Sequence, residues 1–345
     1  MDNRLDAIRI WLEKILPNQR FRLMAASGDA SFRRYFRVSR ISEGSLVVMD
    51  APPSHEDSRC FVDKAATLRA VGVNVPEVLA TNFEQGFLLL GDLGTVHYLD
   101  VLDDNRVERL YGDAMGALLA IQARASCEGL PEYDHGLLDE EMFLFRDWFL
   151  DEHLGIPITD AVEEILRDAF EFLRMIADEQ PRVFVHRDYH SRNLMAHTRH
   201  NPGILDFQDA VRGPVTYDPV SLLKDVYIRW PWARVQEWAF GYRDLAMRHG
   251  VVADVDSATW LRWFDLMGVQ RHLKIAGIFA RLHHRDGKPG YLSDLPLTLD
   301  YLVSACKRYP ELTALGALSE RLDIRRLTRD RNASILSNAS RIEGS

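Results

Sequence analysis

The 345-residue chain is 47% hydrophobic and 27% charged with a net charge of −9, a balance that suits a globular protein with a sizeable core and lacks the basic footprint of a nucleic-acid binder. Its three cysteines, Cys60, Cys127 and Cys306, form no Cys-x-x-Cys pair, which argues against a disulfide framework or a cysteine-built zinc site and for a reducing compartment. No window reaches the ~18 apolar residues of a membrane span, and the start MDNRLDAIRIWLEKIL interleaves charges with apolar residues unlike a signal peptide, so a soluble cytoplasmic chain without a membrane or nucleic-acid partner is expected.

Residues 4–16 repeat Leu5, Ile8, Trp11, Leu12 and Ile15 at three- and four-residue spacing, the period of an amphipathic helix, and Pro17 and Asn18 end it. FRLMAASGDASFRRYFRVSR reads as strand, turn and strand, with the turn at Ser27-Gly28-Asp29-Ala30-Ser31. LVVMDAPP (46–53) is a third strand stopped by two prolines, and FVDKAATLRAVG (61–72) is a helix closed by Gly72. VPEVLAT and FLLLGDLG (87–94) are two further strands, the second ending in Gly91-Asp92-Leu93-Gly94. Helical periodicity then dominates 103–125, 140–154 and 160–179, and, after the short strand-like ILDFQDA, about 219–325. The tail RNASILSNASRIEGS has little to bury and is expected to be disordered. The expected division is a sheet-rich lobe at 1–93, a helical lobe at 94–325 and a tail at 326–345.

VFVHRDYHSRNLM (183–195) sets histidines, arginines, an acid and an amide between apolar shoulders. Burying polar groups without partners is costly, so these groups face a ligand or one another. Asn193 follows Asp188 by five positions and Asp206 follows Asn193 by thirteen, giving acid, amide and acid, all hard oxygen donors. Magnesium takes octahedral oxygen ligands, with one or two protein groups beside phosphate oxygens and water. Phosphoryl transfer asks the protein mainly to orient the nucleophile and neutralise charge. One carboxylate for a hydroxyl and two oxygen ligands for a metal meet that need.

HRDYHSRN resembles the catalytic loop of the protein-kinase superfamily, and more closely the His-x-Asp-x-His-x-x-Asn form of the aminoglycoside phosphotransferase family. ILDFQDA, followed by GPVTYDPVSLL (213–223), is similar to that family's metal-binding segment and its continuation, and the likeness runs in order over about 22–310. The resemblance implies an α+β, bilobal, protein-kinase-like fold with a small antiparallel-sheet N-terminal lobe and a larger helical C-terminal lobe. It implies ATP and Mg2+ as cofactors, Asp188 as the catalytic base, His190 beside the reacting hydroxyl, and Asn193 and Asp206 as metal ligands. Asp218 would brace the loop and His186 would be structural. Backbone N–H groups of Ser27, Gly28, Asp29, Ala30 and Ser31 would cover the nucleotide phosphates, Arg33 would add charge, and Gly91 would lie beside the nucleotide where the lobes cross. Two departures stand out. LVVMDAPP lacks the superfamily's third-strand lysine, with Met49, Asp50 and Ala51 in its neighbourhood, so Arg33 or Lys64 would have to offset the phosphate charge; Arg34 is a further cation there. The following helix carries Asp63 in place of an evident glutamate, and DFQ replaces DFG.

Within that family, APPSHEDSRCFVDKAATLRAVGVNVPEVLA, GFLLLGDLG and FRDWFLDEHLG resemble the anomeric sugar kinases of bacterial cell-wall recycling, which act on N-acetylmuramate and N-acetylglucosamine. This implies transfer of the ATP γ-phosphate to the C1 hydroxyl of a small-molecule amino sugar, whose 1-phosphate a nucleotidyltransferase then converts to the UDP-sugar. The basic run VQRHLKIAGIFARLHHRDGK (269–288) suits a carboxylate on the acceptor, with Arg281 as its candidate contact. Most cations of that run, Arg271, His272 and Lys274 among them, read as a solvated helix face. Trp148 and Tyr217 are candidate sugar-contacting rings, although a core role is the commoner one. Choline, fructosamine and aminoglycoside kinases share the same catalytic groups, and the missing lysine leaves open a pseudokinase-like nucleotide-binding scaffold.

Overall fold

Helix α1 (Asn3–Ile15) turns Ile8, Trp11 and Leu12, spaced three and four apart, into a cluster with Val38, Leu46, Val48, Phe87 and Leu89 of the first sheet. The computed structural model describes residues 3–28, 33–40 and 44–343. The sheet is antiparallel throughout, in the order β1 (Phe21–Gly28), β2 (Arg34–Arg40), β3 (Gly44–Asp50), β5 (Phe87–Gly91), β4 (Val78–Asn82). Alternation along β5 sends Phe87 and Leu89 to the α1 side and Leu88 and Leu90 to the other, and all four are buried. The β4–β5 turn needs a glycine: Gly86 has φ +73°, and a Cβ there would lie 1.8 Å from the Ala51 carbonyl oxygen. Helix α2 (Arg59–Ala70) ends at Gly72, whose N–H donates to the Arg69 carbonyl.

The chain divides into two units by its internal contacts, Met1–Ile121 with Arg192–Asp209, and Gln122–Ser191 with Ala210–Ser345. That division differs from the expected one after residue 93. The first unit extends through α3 (Tyr98–Val101) and most of α4 (Val107–Arg124). It also takes back the hairpin β7 (Leu194–Met195) and β8 (Gly203–Ile204), because Ile204 N–H donates to the Asn74 carbonyl and Ala196 N–H to that of Val96, each at 2.8 Å.

The second unit is organised on one long helix, with α5 (His135–Leu144), a π-helix (Phe145–His153), α6 (Asp160–Asp178), α7 (Tyr217–Leu223), α8 (Trp232–Arg248) and α10 (Leu295–Cys306) packed against α9 (Ser257–His284). Asp256 caps α9 by accepting from the N–H groups of Ala258 and Thr259. Gly277 permits the closest approach, since a Cβ there would lie 2.2 Å from the Leu144 carbonyl carbon. The helix expected at 140–154 is α5 running into the π-helix. A two-stranded sheet of β6 (Arg182–Val185) and β9 (Val211–Pro214) leads into the segment 186–193. The tail departs from the expected disorder. After α11 (Thr313–Arg321), helix α12 (Ile324–Glu343) buries Ile324, Thr328 and Asn332 on one face, and Asn332 donates to the Leu292 carbonyl at 2.7 Å. Those positions four apart were hidden in a segment poor in apolar residues.

Candidate active site

Where β6 ends, the chain has two backbone donors with no strand partner, and the buried Asp218 at the start of α7 takes both. Its carboxylate accepts from the N–H of His186 at 2.7 Å and of Arg187 at 3.0 Å. Burial pushes the Asp218 carboxyl up to about 6 against the opposing pull of His186. Arg187 sits at φ +78°, a strained conformation for a side chain of its size. The next residue is Asp188. Ser191 N–H donates to Asp225 at 2.9 Å, and the His190 ring meets Tyr227 edge-on at 5.4 Å. The His190 imidazole is pushed down to about 4, mainly by burial, so it is neutral near pH 7.

Expected at the surface, Arg271, His272 and Lys274 are instead buried in the middle of α9. An α-helix surrounded by other helices has no solvated face, so its charges must be paired inside. Arg271 donates to the Arg187 carbonyl at 2.6 Å and approaches the Asp188 carboxylate at 3.5 Å. Lys274 pairs with Glu141 at 2.8 Å and donates to the Tyr217 hydroxyl at 3.0 Å, while Arg187 forms a second ion pair with Glu141. Tyr133 and Gln270 complete the hydrogen bonding of Glu141. Burial alone would raise the Asp188 carboxyl, but Lys274, Arg271, His190 and Arg187 outweigh it and hold the group well below the ordinary carboxylate range. The Asp188 side chain keeps 37% of its surface exposed, so an ionised oxygen remains accessible.

In the first unit, pairing of Leu194 with Ile204 and Met195 with Gly203 brings the flanking residues Asn193 and Asp206 together. Leu205 N–H donates to the Asn193 carbonyl at 2.9 Å, and the Asn193 amide reaches Asp206 at 3.4 Å. Asp206 has φ +63°, a second strained non-glycine position. Arg33 is buried against this group: it bonds Glu56 at 2.7 Å, Asp206 at 3.3 Å and Asp209 at 3.4 Å. Gln208 donates to both Asp206 and Asp209, and Lys64 donates to the Gln208 carbonyl. Asp206 and the Asn193 amide oxygen are hard donors of the kind Mg2+ takes, with Asp209 one side chain away. Among the described residues no group of three or more His, Cys, Asp or Glu forms a cation cage. A magnesium held by one or two protein groups plus phosphate oxygens requires none, so the donor set fits that ion.

The remaining expected residues are scattered. Asp29, Ala30 and Ser31 lie outside the described residues, while Ser27 and Gly28 close β1, paired with Tyr35 and Arg34 across a bulge. Gly91 ends β5 opposite Leu46. Where a third-strand lysine was missing, the wholly buried Asp50 takes Arg4 and Arg34, so Arg34 is tied to the sheet. Tyr217 is fully buried, its hydroxyl among cations, which leaves no ring face for a sugar. Trp148 is half-buried on the π-helix, and Arg281 near the end of α9 has a buried Nε without a hydrogen-bond partner. Sequence reasoning overlooked Glu141, Glu56 and Asp209. Glu141 had a signal, since it shares the α5 face of Leu138 and Met142, which are buried, and an acid there must be paired.

Residues 22–250 match the model of the phosphotransferase enzyme family. The chain is 47% identical over 327 residues to the N-acetylmuramate/N-acetylglucosamine kinase of Pseudomonas aeruginosa, covering 92% of this chain and 96% of the relative. It is 41% identical over 316 residues to the kinase of the same name from Neisseria meningitidis, covering 90% and 93%. An ADP-bound aminoglycoside phosphotransferase shares the fold with a TM-score of 0.58 at 14% identity, over 87% of this chain and 98% of that one.

Proposed function

We propose that this chain, which belongs to the phosphotransferase enzyme family, is an ATP-dependent sugar kinase that phosphorylates the C1 hydroxyl of N-acetylmuramate and N-acetylglucosamine. The observation that carries the reading is the Asp188 carboxylate, kept charged by buried cations and still accessible. Asp188 accepts the hydrogen bond of the acceptor hydroxyl and aims its oxygen at the γ-phosphorus. As the new O–P bond forms, the bond to the β–γ bridging oxygen breaks, ADP departs, and the hydroxyl proton passes to Asp188. A carboxylate of such low basicity takes that proton late, which suits a loose transition state and an anomeric hydroxyl more acidic than an ordinary alcohol. Arg271 keeps the carboxylate charged and anchors the strained Arg187 peptide.

Asn193 and Asp206 would hold Mg2+, which neutralises charge on the phosphate oxygens when bound. Arg33 supplies a fixed cation beside Asp206, the role left vacant by the missing lysine. The sheet-rich N-terminal part serves the nucleotide and the helical part the sugar. No helix among the described residues is long and apolar enough to cross a membrane, and the proposed setting is the cytoplasm, in peptidoglycan recycling, where a nucleotidyltransferase consumes the sugar 1-phosphate. The test is a phosphorylation assay with ATP and Mg2+ across amino sugars, with the product's acid lability measured. An acid-labile 1-phosphate is expected; an acid-stable 6-phosphate would overturn the assignment to C1.

A further inference from the structure

Between α7, the start of α8 and α10 lies a cavity of about 580 Å3 whose wall includes Lys224, Arg229, Trp230, Trp232, Tyr301 and Arg308. Its volume falls in the range of small-molecule sites. Three cations line it and no acid does. The acids that pair them stand behind or beside the wall. Asp265, fully buried, takes Lys224 at 2.5 Å and Arg308 at 3.0 Å, and Asp300 takes Arg229 at 2.8 Å and Arg325 at 3.0 Å. With Asp225 counted, the three lining cations are matched by three carboxylates, but none of those acids is in the wall, so the charged side chains presented to the cavity are the cationic ones. Trp230 and Trp232 add apolar surface beside these cations.

A second observation points to a ligand. Tyr301 lines the cavity, and its hydroxyl is shielded from bulk solvent yet has no hydrogen-bond partner in the protein. Its ring is fixed by stacking on His272 at 4.9 Å. A buried donor left unpaired is unfavourable, so a site that leaves one is completed by what binds there. Two of its lining residues, Lys224 and Arg229, flank in sequence the segment 225–227 that supports the 186–193 loop. Asp225 accepts from Ser191 and Tyr227, Tyr227 meets the His190 ring, and Arg229 follows two residues later.

We propose that this cavity receives the anionic substituent of the acceptor, a carboxylate borne on a pyranose, with Arg229 and Arg308 as its charge contacts and the Tyr301 hydroxyl as a further donor. The inference rests on the sugar-kinase reading and relocates carboxylate recognition from Arg281, which is not part of the cavity wall. Two variants test it without threatening the fold: Arg229→Ala, since that side chain is 57% exposed, and Tyr301→Phe, since the lost hydroxyl has no protein partner. Arg229→Ala raises KM for N-acetylmuramate by roughly tenfold and leaves that for N-acetylglucosamine unchanged; Tyr301→Phe raises the former by about fivefold. Arg281→Ala leaves the ratio of the two KM values as it was. An unchanged ratio in Arg229→Ala, or a changed one in Arg281→Ala, overturns the proposal. If the wild-type chain phosphorylates neither sugar, the kinase reading fails and tryptophan fluorescence decides the cavity. Saturable quenching by N-acetylmuramate that Arg229→Ala abolishes upholds it, and the absence of quenching overturns it.

Discussion

The surroundings of Asp188 and those of Asp206 solve opposite electrostatic problems. Asp188 is served by cations from α9, 83 and 86 residues further along the chain, which are themselves buried, Lys274 being balanced by Glu141. Asp206 is served by a local hairpin that brings Asn193 to it, and by Arg33, which it shares with Glu56 and Asp209. The first arrangement fixes the ionisation of one accessible carboxylate. The second gathers several acids around one arginine and leaves their oxygens partly exposed. The ionisation of Asp188 is thus built from distant, dry contacts, and the Asp206 cluster, proposed to hold Mg2+, from near, wet ones.

Four measurements break or sharpen that contrast. Asp188→Asn removes the proton acceptor while keeping its shape, and the rate of phosphate transfer is expected to fall roughly a thousandfold with an unchanged circular dichroism spectrum; a rate within tenfold of wild type would remove Asp188 from the chemistry. Glu141→Gln leaves Lys274 and Arg187 buried without their counter-charge, so denaturant titration should show a loss of about 3 kcal/mol. Asp206→Asn acts only on the other region. It should weaken the apparent Mg2+ affinity at least ~10-fold and leave the denaturant midpoint near wild type, whereas an unaltered Mg2+ dependence would argue against Asp206 as a ligand.

The fourth measurement is of stability against pH. His153 and His190 are pushed down to about 4 and His272 to about 3, in each case chiefly by burial. Between their ordinary value near 6.5 and these depressed ones the unfolded chain binds more protons, so stability falls as the pH is lowered. Asp218 opposes this, because its carboxyl at about 6 binds a proton in the folded chain first and stabilises it on acidification. Three imidazoles outnumber one carboxyl, and unfolding midpoints should drop gradually from about pH 6.5 to about pH 4. A flat profile across that window would mean that the imidazoles titrate normally.

Much of this was legible in the letters. The spacing of Ile8, Trp11 and Leu12, the alternation in β5 and the prolines after β3 are local signals, and the elements they announce are present. The sequence also offered Asp188, Asn193 and Asp206 as the proposed set, since hydroxyl and metal chemistry call for those residue types. Arg271 and Lys274 were misread because a charged residue carries no mark of burial in its neighbours; only the helices around α9 make it a core element. The tail was misread for the converse reason, its few buried positions being four apart in a polar context.

By itself the sequence determined most of the secondary elements, the family and the candidate groups proposed for phosphoryl transfer, because helix period, strand period and ligand chemistry are properties of short stretches. Tertiary structure alone decided which cation answers which acid: Arg271 to Asp188, Glu141 to Lys274, Arg33 to Asp206 and Arg4 to Asp50. Coulomb energies depend on distance and dielectric, and neither exists until segments far apart in the chain are packed together.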